Sequence, residues 1–211
     1  MKLFSLMHCL GAIILLLTGC KPAESAKTSG AVYCVDSFSQ HLNPQILGSS
    51  PFVASLSQQV YNRLIEINPD TQRLDGALAE NWSISRSGLI YTFNLRRNVS
   101  FHHTSWFTPQ RLFNADDVVF SFQRILDQTH PFHAVSGTRY PFFDNRQFAE
   151  VVQDVKKVTD YQVQFVLRYP DASFMATLAS DYAVILSAEY GAYLQRQHGD
   201  LQNIDDLPIG T

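Results

Sequence analysis

The chain has 211 residues, 45% hydrophobic and 17% charged, with a formal net charge of −3, 15 Phe and 9 Tyr. That length carries one sizeable core or two small ones, and the aromatic content excludes disorder over most of it. The slight acidity excludes a nucleic-acid binder built on clustered Lys and Arg, and Cys20 and Cys34, the two cysteines beyond the first apolar segment, are too few for a disulfide framework.

Lys2, the apolar run from Leu10 to Leu17, and the small residues before Cys20 have the layout of a secretory signal. The run is about half the ~20 residues a transmembrane helix needs. Leu17-Thr18-Gly19-Cys20 resembles the bacterial lipobox, which implies a signal peptide over 1–19 and a lipid on Cys20. An ordinary cleaved signal or a membrane anchor is the alternative. Residues 20–30, polar and rich in Ser, Ala and Lys, suit a flexible tether. Lys21 leaves sorting to the inner or outer membrane open.

From Ala31 to Val35 a short apolar run reads as a buried strand, and residues 36–51 read as a loop rich in Ser, Gly, Asn and Pro. Val53, Leu56, Val60 and Leu64 recur at helical spacing, with Tyr61 beside them. Ile65 and Ile67 alternate as a brief strand stopped by Asn68-Pro69-Asp70. Residues 77–102 read as a β-hairpin. Trp82 and Ile84 lie before a Ser-Arg-Ser-Gly turn, and Leu89, Tyr91, Phe93 and Leu95 share one face after it. Asn114 and Asp117 have the spacing of a capping box, opening a helix over 115–127 that buries Val118, Val119, Phe122, Ile125 and Leu126.

Residues 128–147 read as a long aromatic loop. Strands follow at 155–158 and 163–167, then a short helix from Pro170-Asp171 to Ala179. Residues 182–186 read as a buried strand, and Ser187 caps a final helix ending near Gly199.

Catalytic patterns are missing: no G-x-S-x-G, P-loop, G-x-G-x-x-G or H-E-x-x-H occurs. His102-His103 would point to opposite faces of a strand, and His130 and His133 have no third ligand nearby, so both pairs read as solvated and no metal site is expected. Asp116-Asp117 reads as helix N-terminal acid, and Asp205-Asp206 as an exposed loop. Neither a catalytic group nor a cofactor is predicted.

Ala77-Leu-Ala-Glu-Asn-Trp82, Ser87-Gly-Leu-Ile-Tyr-Thr-Phe-Asn-Leu-Arg-Arg97 and Val99-Ser-Phe-His102 together closely resemble the signature of the family 5 bacterial extracellular solute-binding proteins. Phe113-Asn-Ala-Asp-Asp-Val-Val-Phe-Ser-Phe122 and Ile185-Leu-Ser-Ala-Glu-Tyr190 extend the likeness toward the dipeptide-binding branch, which includes haem- and glutathione-binding lipoproteins, and toward Sap-type peptide-binding proteins. Asn98 stands where the family usually has glycine, and Asn is the best other tenant of a left-handed turn.

The resemblance implies a mixed α/β, type II periplasmic-binding-protein-like fold. Residues 31–51 would start the sheet of the N-terminal lobe, 52–169 would form its extra subdomain, and 170–211 would return toward the sheet. Pro208-Ile-Gly-Thr211 resembles the start of a family strand, which implies a truncated or partial form with the second lobe absent. In relatives the cysteine near Cys34 can pair with one downstream, a partner this sequence lacks.

The implied function is the substrate-binding component of an ABC importer for dipeptides or oligopeptides, or for haem or glutathione. It would be lipid-anchored in a Gram-negative periplasm, with an inner-membrane permease as partner. The alternative is a surface lipoprotein without a transport role. Gly48, Ser49, Ser50 and Phe52 align with a ligand-facing family loop; small residues there permit close backbone approach and Phe52 supplies an apolar wall, whereas a plain connection is the competing reading.

Overall fold

Two buried stripes on one helix organise this molecule. The computed structural model describes Cys34 and residues 41–48, 50–197 and 199–211, and every described element lies in the compact unit spanning 36–211. The predicted signal, the lipidation site Cys20 and the rest of the predicted strand at 31–35 lie outside the described residues. Cys34 itself is exposed, unpaired and outside any strand.

After a 3-10 turn at Pro44–Ile46 come α1 (Pro51–Val60), β1 (Ile65–Ile67), β2 (Leu74–Gly76), β3 (Ala79–Ile84), β4 (Ile90–Leu95) and α2 (Ala115–Leu126). There follow α3 (Pro141–Asn145), α4 (Phe148–Val151), β5 (Val152–Thr159), β6 (Gln162–Leu167), α5 (Phe174–Leu178), α6 (Ala188–Arg196) and α7 (Asn203–Asp206).

The predicted hairpin is β3–β4, with Trp82 opposite Phe93 and Ile84 opposite Tyr91. It grows into an antiparallel sheet in the order β3-β4-β6-β5. Tyr91, Phe93, Leu95, Val163, Phe165 and Leu167 are all buried on one face. On the other face Asn94 donates to Asn81 at 2.6 Å, Gln162 donates to Asn94 at 2.8 Å, and Gln164 donates to Thr92 at 3.0 Å. Alternation therefore sets one dry face and one wet face of hydrogen-bonded amides.

The Asn114–Asp117 capping box is formed, and α2 packs on β5 and β6. Val118, Phe122 and Ile125 make its apolar stripe, and Phe122 meets Phe165 edge-on at 5.0 Å. Asp117, Ser121 and Arg124, at the same i, i+4, i+7 spacing, make a second stripe that is polar and equally buried. The extended segment 183–187 lies along it: Leu186 N donates to Ser121 Oγ at 2.8 Å, and Ala188 N donates to Asp117 Oδ1 at 2.8 Å.

Several expectations are corrected. Helical spacing pointed on to Leu64, but α1 stops at Val60 and Tyr61 is extended, so Leu64 is buried from the chain leading into β1. The three-residue β2, which pairs with β1, has too short a pattern to read. The aromatic loop at 128–147 contains α3. Of residues 182–186, Ala183 to Leu186 are buried as predicted and Tyr182 is half-buried, but their only strand-like pairing among the described residues is a single bridge from Val184 to Arg63, because side chains of α2 and Gln45 take other hydrogen bonds. Helix α6 is followed by α7, which buries Asp205. Asn98 has φ of 62°, the left-handed turn its sequence context implied.

Candidate functional site

The loop predicted to face a ligand runs into the first turn of α1. Gly48 is exposed, and a Cβ there would meet nothing within 4 Å, so packing does not demand the glycine. Ser49 lies outside the described residues. Ser50 is the N-cap of α1, accepting from Val53 N at 3.3 Å, with Pro51 next in the favoured first helical position. Phe52 is half-buried. The structure thus gives Ser50 a capping task and leaves Gly48 and Phe52 on accessible surface.

The neighbourhood is aromatic. Both α1 and α3 pack on the 3-10 turn Pro44–Ile46. Phe142 of α3 stacks on Tyr182 at 4.3 Å and 13°, and the Arg146 guanidinium sits 4.4 Å from the Phe142 ring. Phe142 and Tyr182 are half-buried and Arg146 is exposed. Arg63 pairs with Asp181, whose carbonyl accepts from Ser57 Oγ at 2.7 Å, so the segment carrying Tyr182 is tied to α1. Such a surface offers aromatic edges for apolar side chains and a cation for a carboxylate; among its described residues it holds no nucleophile–base pair.

Beneath it lies a buried ionic network. Arg124 donates to both oxygens of Asp205 at 2.7 and 3.0 Å, and Asn43 Nδ2 donates to Asp205 at 2.6 Å. Burial alone would lower the Arg124 pKa, but the Asp205 charge and hydrogen bonds outweigh it and hold the guanidinium above its ordinary range. Tyr140 OH accepts from Arg124 at 3.2 Å and donates to the His133 carbonyl at 2.9 Å.

Gln45 Nε2 donates to the Ser121 and Val184 carbonyls, both at 3.1 Å, while its Oε1 and the Tyr61 hydroxyl have no hydrogen-bond partner among the described residues. Burial, then the Asp205 charge, raises the Tyr61 pKa. At the head of α2, burial pushes the Asp117 carboxyl up against the opposing pull of its bidentate partner Arg111.

The expectation for Asp205 was wrong. It is fully buried against Arg124, and that partner is 81 positions away, a distance over which local pattern carries no signal. His133 is half-buried and not merely solvated: its Nδ1 lies 2.7 Å from the Arg124 carbonyl and its ring packs on Tyr140. His102 and His103 are exposed, with the His102 amide donating to the Gly210 carbonyl at 2.8 Å. Among the described residues no three His, Cys, Asp or Glu side chains cluster as metal ligands. No described helix is long and apolar enough to cross a membrane.

A family model, bacterial extracellular solute-binding proteins family 5, middle portion, matches residues 73–211. The chain belongs to this family. Among family 5 relatives, it is 48% identical over 186 residues to the peptide transport periplasmic protein SapA of Salmonella typhimurium, covering 88% of this chain and 34% of the relative. It is 42% identical over 214 residues to heme-binding protein A of Haemophilus influenzae, covering 96% of this chain and 39% of that one.

Among solved structures, a dipeptide-binding protein from Pseudoalteromonas sp. SM9913 in complex with Met-Leu matches with a TM-score of 0.78 and 39% identity, covering 81% of this chain and 34% of that chain. The fold is therefore the mixed α/β, type II periplasmic-binding-protein architecture that the resemblance implied. The chain spans 34% to 39% of the length of these three relatives.

Sequence reasoning did not single out Phe142, Arg146 and Tyr182 beside the loop. The dense aromatics of 140–148 were visible as a composition, but nothing local said that Tyr182, some forty residues on, would stack on them.

Proposed function

We propose that this family 5 chain serves as the peptide-binding component of an ABC importer, with haem or glutathione as alternative cargo, delivering to an inner-membrane permease. The supporting observation is the 48% identity to a peptide transport protein across 88% of this chain. In this reading 31–51 begins the N-terminal lobe, 52–169 is its extra subdomain and 170–211 returns to it. Lipid on Cys20 holds the domain in the periplasm through the tether 20–30. Gly48, Ser49, Ser50 and Phe52 form part of the ligand wall, extended by Phe142 and Tyr182. A peptide recognised by its backbone needs few dedicated side chains, while ring faces accept varied residues.

The test is calorimetric titration of the full chain with Met-Leu, glutathione and haem. Saturable micromolar binding of one of them supports the reading and names the cargo. No heat from any of the three at millimolar concentration sinks the claim that this chain binds on its own. Anchoring is tested separately by labelled palmitate, which should enter the wild-type chain and not Cys20→Ser.

A further inference from the structure

A second concavity, built from other elements, lies between the loop after Thr104 and helix α6. Its volume is about 390 Å³, and Trp106, Phe107, Gln110, Glu189, Tyr193 and Arg196 are among its lining residues. Glu189, Tyr193 and Arg196 stand at i, i+4, i+7 on one face of α6, while Tyr190, Gly191 and Leu194 face the core.

The loop is held in shape. Thr104 N donates to the Phe107 carbonyl at 3.0 Å, and Phe107 N donates back to Thr104 Oγ1 at 3.1 Å. Phe107 packs on Tyr190 and Tyr193 at 4.9 and 5.4 Å. Glu189 accepts from the backbone N–H of Gln110 at 3.1 Å and of Arg111 at 3.4 Å, pinning the far end of the loop to the helix.

Phe107 thus anchors the loop, and Trp106 is left 41% exposed at the pocket with no ring partner among the described residues. Arg196 forms no ion pair or side-chain hydrogen bond among the described residues. A planar guanidinium on the pocket wall matches a carboxylate in a two-pronged contact, and the neighbouring rings match a flat apolar body. The Glu189 charge in the same wall disfavours polyanions such as phosphate esters, and its oxygens already serve the loop amides. A monoanion with one ring fits the volume.

We propose that this pocket is a second binding site, distinct from the wall around Gly48 and Phe52, and that it takes a small aromatic carboxylate with its ring on Trp106 and Tyr193 and its carboxylate on Arg196.

The chain has two tryptophans. Trp82 is half-buried against Phe93 at 6.4 Å, so the fluorescence response to a pocket ligand comes from Trp106. The probes are phenylacetate, 2-phenylethanol and phenethylamine, added to the full chain. Phenylacetate should give a saturable change that disappears in Trp106→Phe. The alcohol, the amine, and Arg196→Gln with phenylacetate should each bind about tenfold more weakly or worse, the size expected for losing a charge-assisted hydrogen bond. Arg196→Lys, which keeps the charge without the fork, should fall between and serves if Arg196→Gln melts early. No saturable change at millimolar phenylacetate, or equal affinity for the alcohol, or an unaltered affinity in both Arg196 variants, overturns the proposal. Dipeptide calorimetry should be unmoved by these substitutions, so failure here and failure at the Gly48 wall are separable.

Discussion

Removing the Asp205 carboxylate should unfold this protein more readily than any surface change of similar size. Its side chain is fully buried, that of Arg124 is 1% exposed, and the two share bonds of 2.7 and 3.0 Å. In Asp205→Ala the guanidinium stays buried with Tyr140 OH as its one remaining side-chain hydrogen-bond partner among the described residues, and Asn43 Nδ2 loses its acceptor. Breaking such a pair by deleting one member costs about 3–5 kcal/mol. For a unit of this size each kcal/mol moves the melting midpoint by about 2–4 °C, so the drop should be about 6–20 °C. Replacing both members, Arg124→Met with Asp205→Leu, removes the stranded charge and should recover most of the loss, because a buried pair is rarely worth more than apolar packing of equal volume. Urea and thermal unfolding followed by circular dichroism measure all three proteins. If Asp205→Ala lies within about 1 kcal/mol of wild type, or the double variant is no better than the single, the network does not stabilise in the way argued.

Other outcomes follow from single positions. Asn98→Gly should be neutral or slightly stabilising in urea melts, whereas Asn98→Val should cost about 1–2 kcal/mol, since φ of 62° suits glycine and opposes a β-branched residue. His130 accepts from Phe132 N at 3.2 Å through Nδ1, and burial followed by the Arg124 charge lowers its pKa below the ordinary 6.5. A histidine with a depressed folded pKa contributes stability that is present above pH 6.5 and fades as pH falls through the folded value, so unfolding free energy should drop more steeply between pH 7 and 5 in wild type than in His130→Gln. Gly210→Ala would set a Cβ 1.7 Å from the Val60 carbonyl, and should release the last residues and strip exchange protection from the His102 amide that bonds the Gly210 carbonyl.

Local grammar was readable where one segment satisfies its own needs. Asn114 and Asp117 cap the helix they begin, Ser187 caps α6, and Tyr91, Phe93 and Leu95 alternate because one face of β4 is dry. What stayed hidden was set by remote partners. Residues 182–186 read as a buried strand, and Ala183 to Leu186 are buried, but the segment's hydrogen bonds end on Gln45, Asn62 and the polar stripe of α2, a pattern with no period along the chain. Arg124 and Asp117 in a helix look like solvated residues until the segments that cover them are placed. The loop 48–52 was noticed through resemblance, and Ser50 in it proves to be a cap. Trp106 and Arg196 are ninety positions apart, and only folding puts both on one pocket wall.

The wet face of the sheet also bears on how the strands find one another. Strands β4 and β6 join residues some seventy positions apart, the kind of pairing a chain searches for slowly. A slip of one residue would turn Phe93 and Phe165 out to water and Asn94 and Gln164 into the core. It would also break the Asn81–Asn94–Gln162 relay, whose links span three strands and close only when both pairings are in step. The amide row is thus a vernier for alignment: a misaligned sheet forfeits packing on one side and hydrogen bonds on the other, leaving wrong registers too shallow to trap the chain.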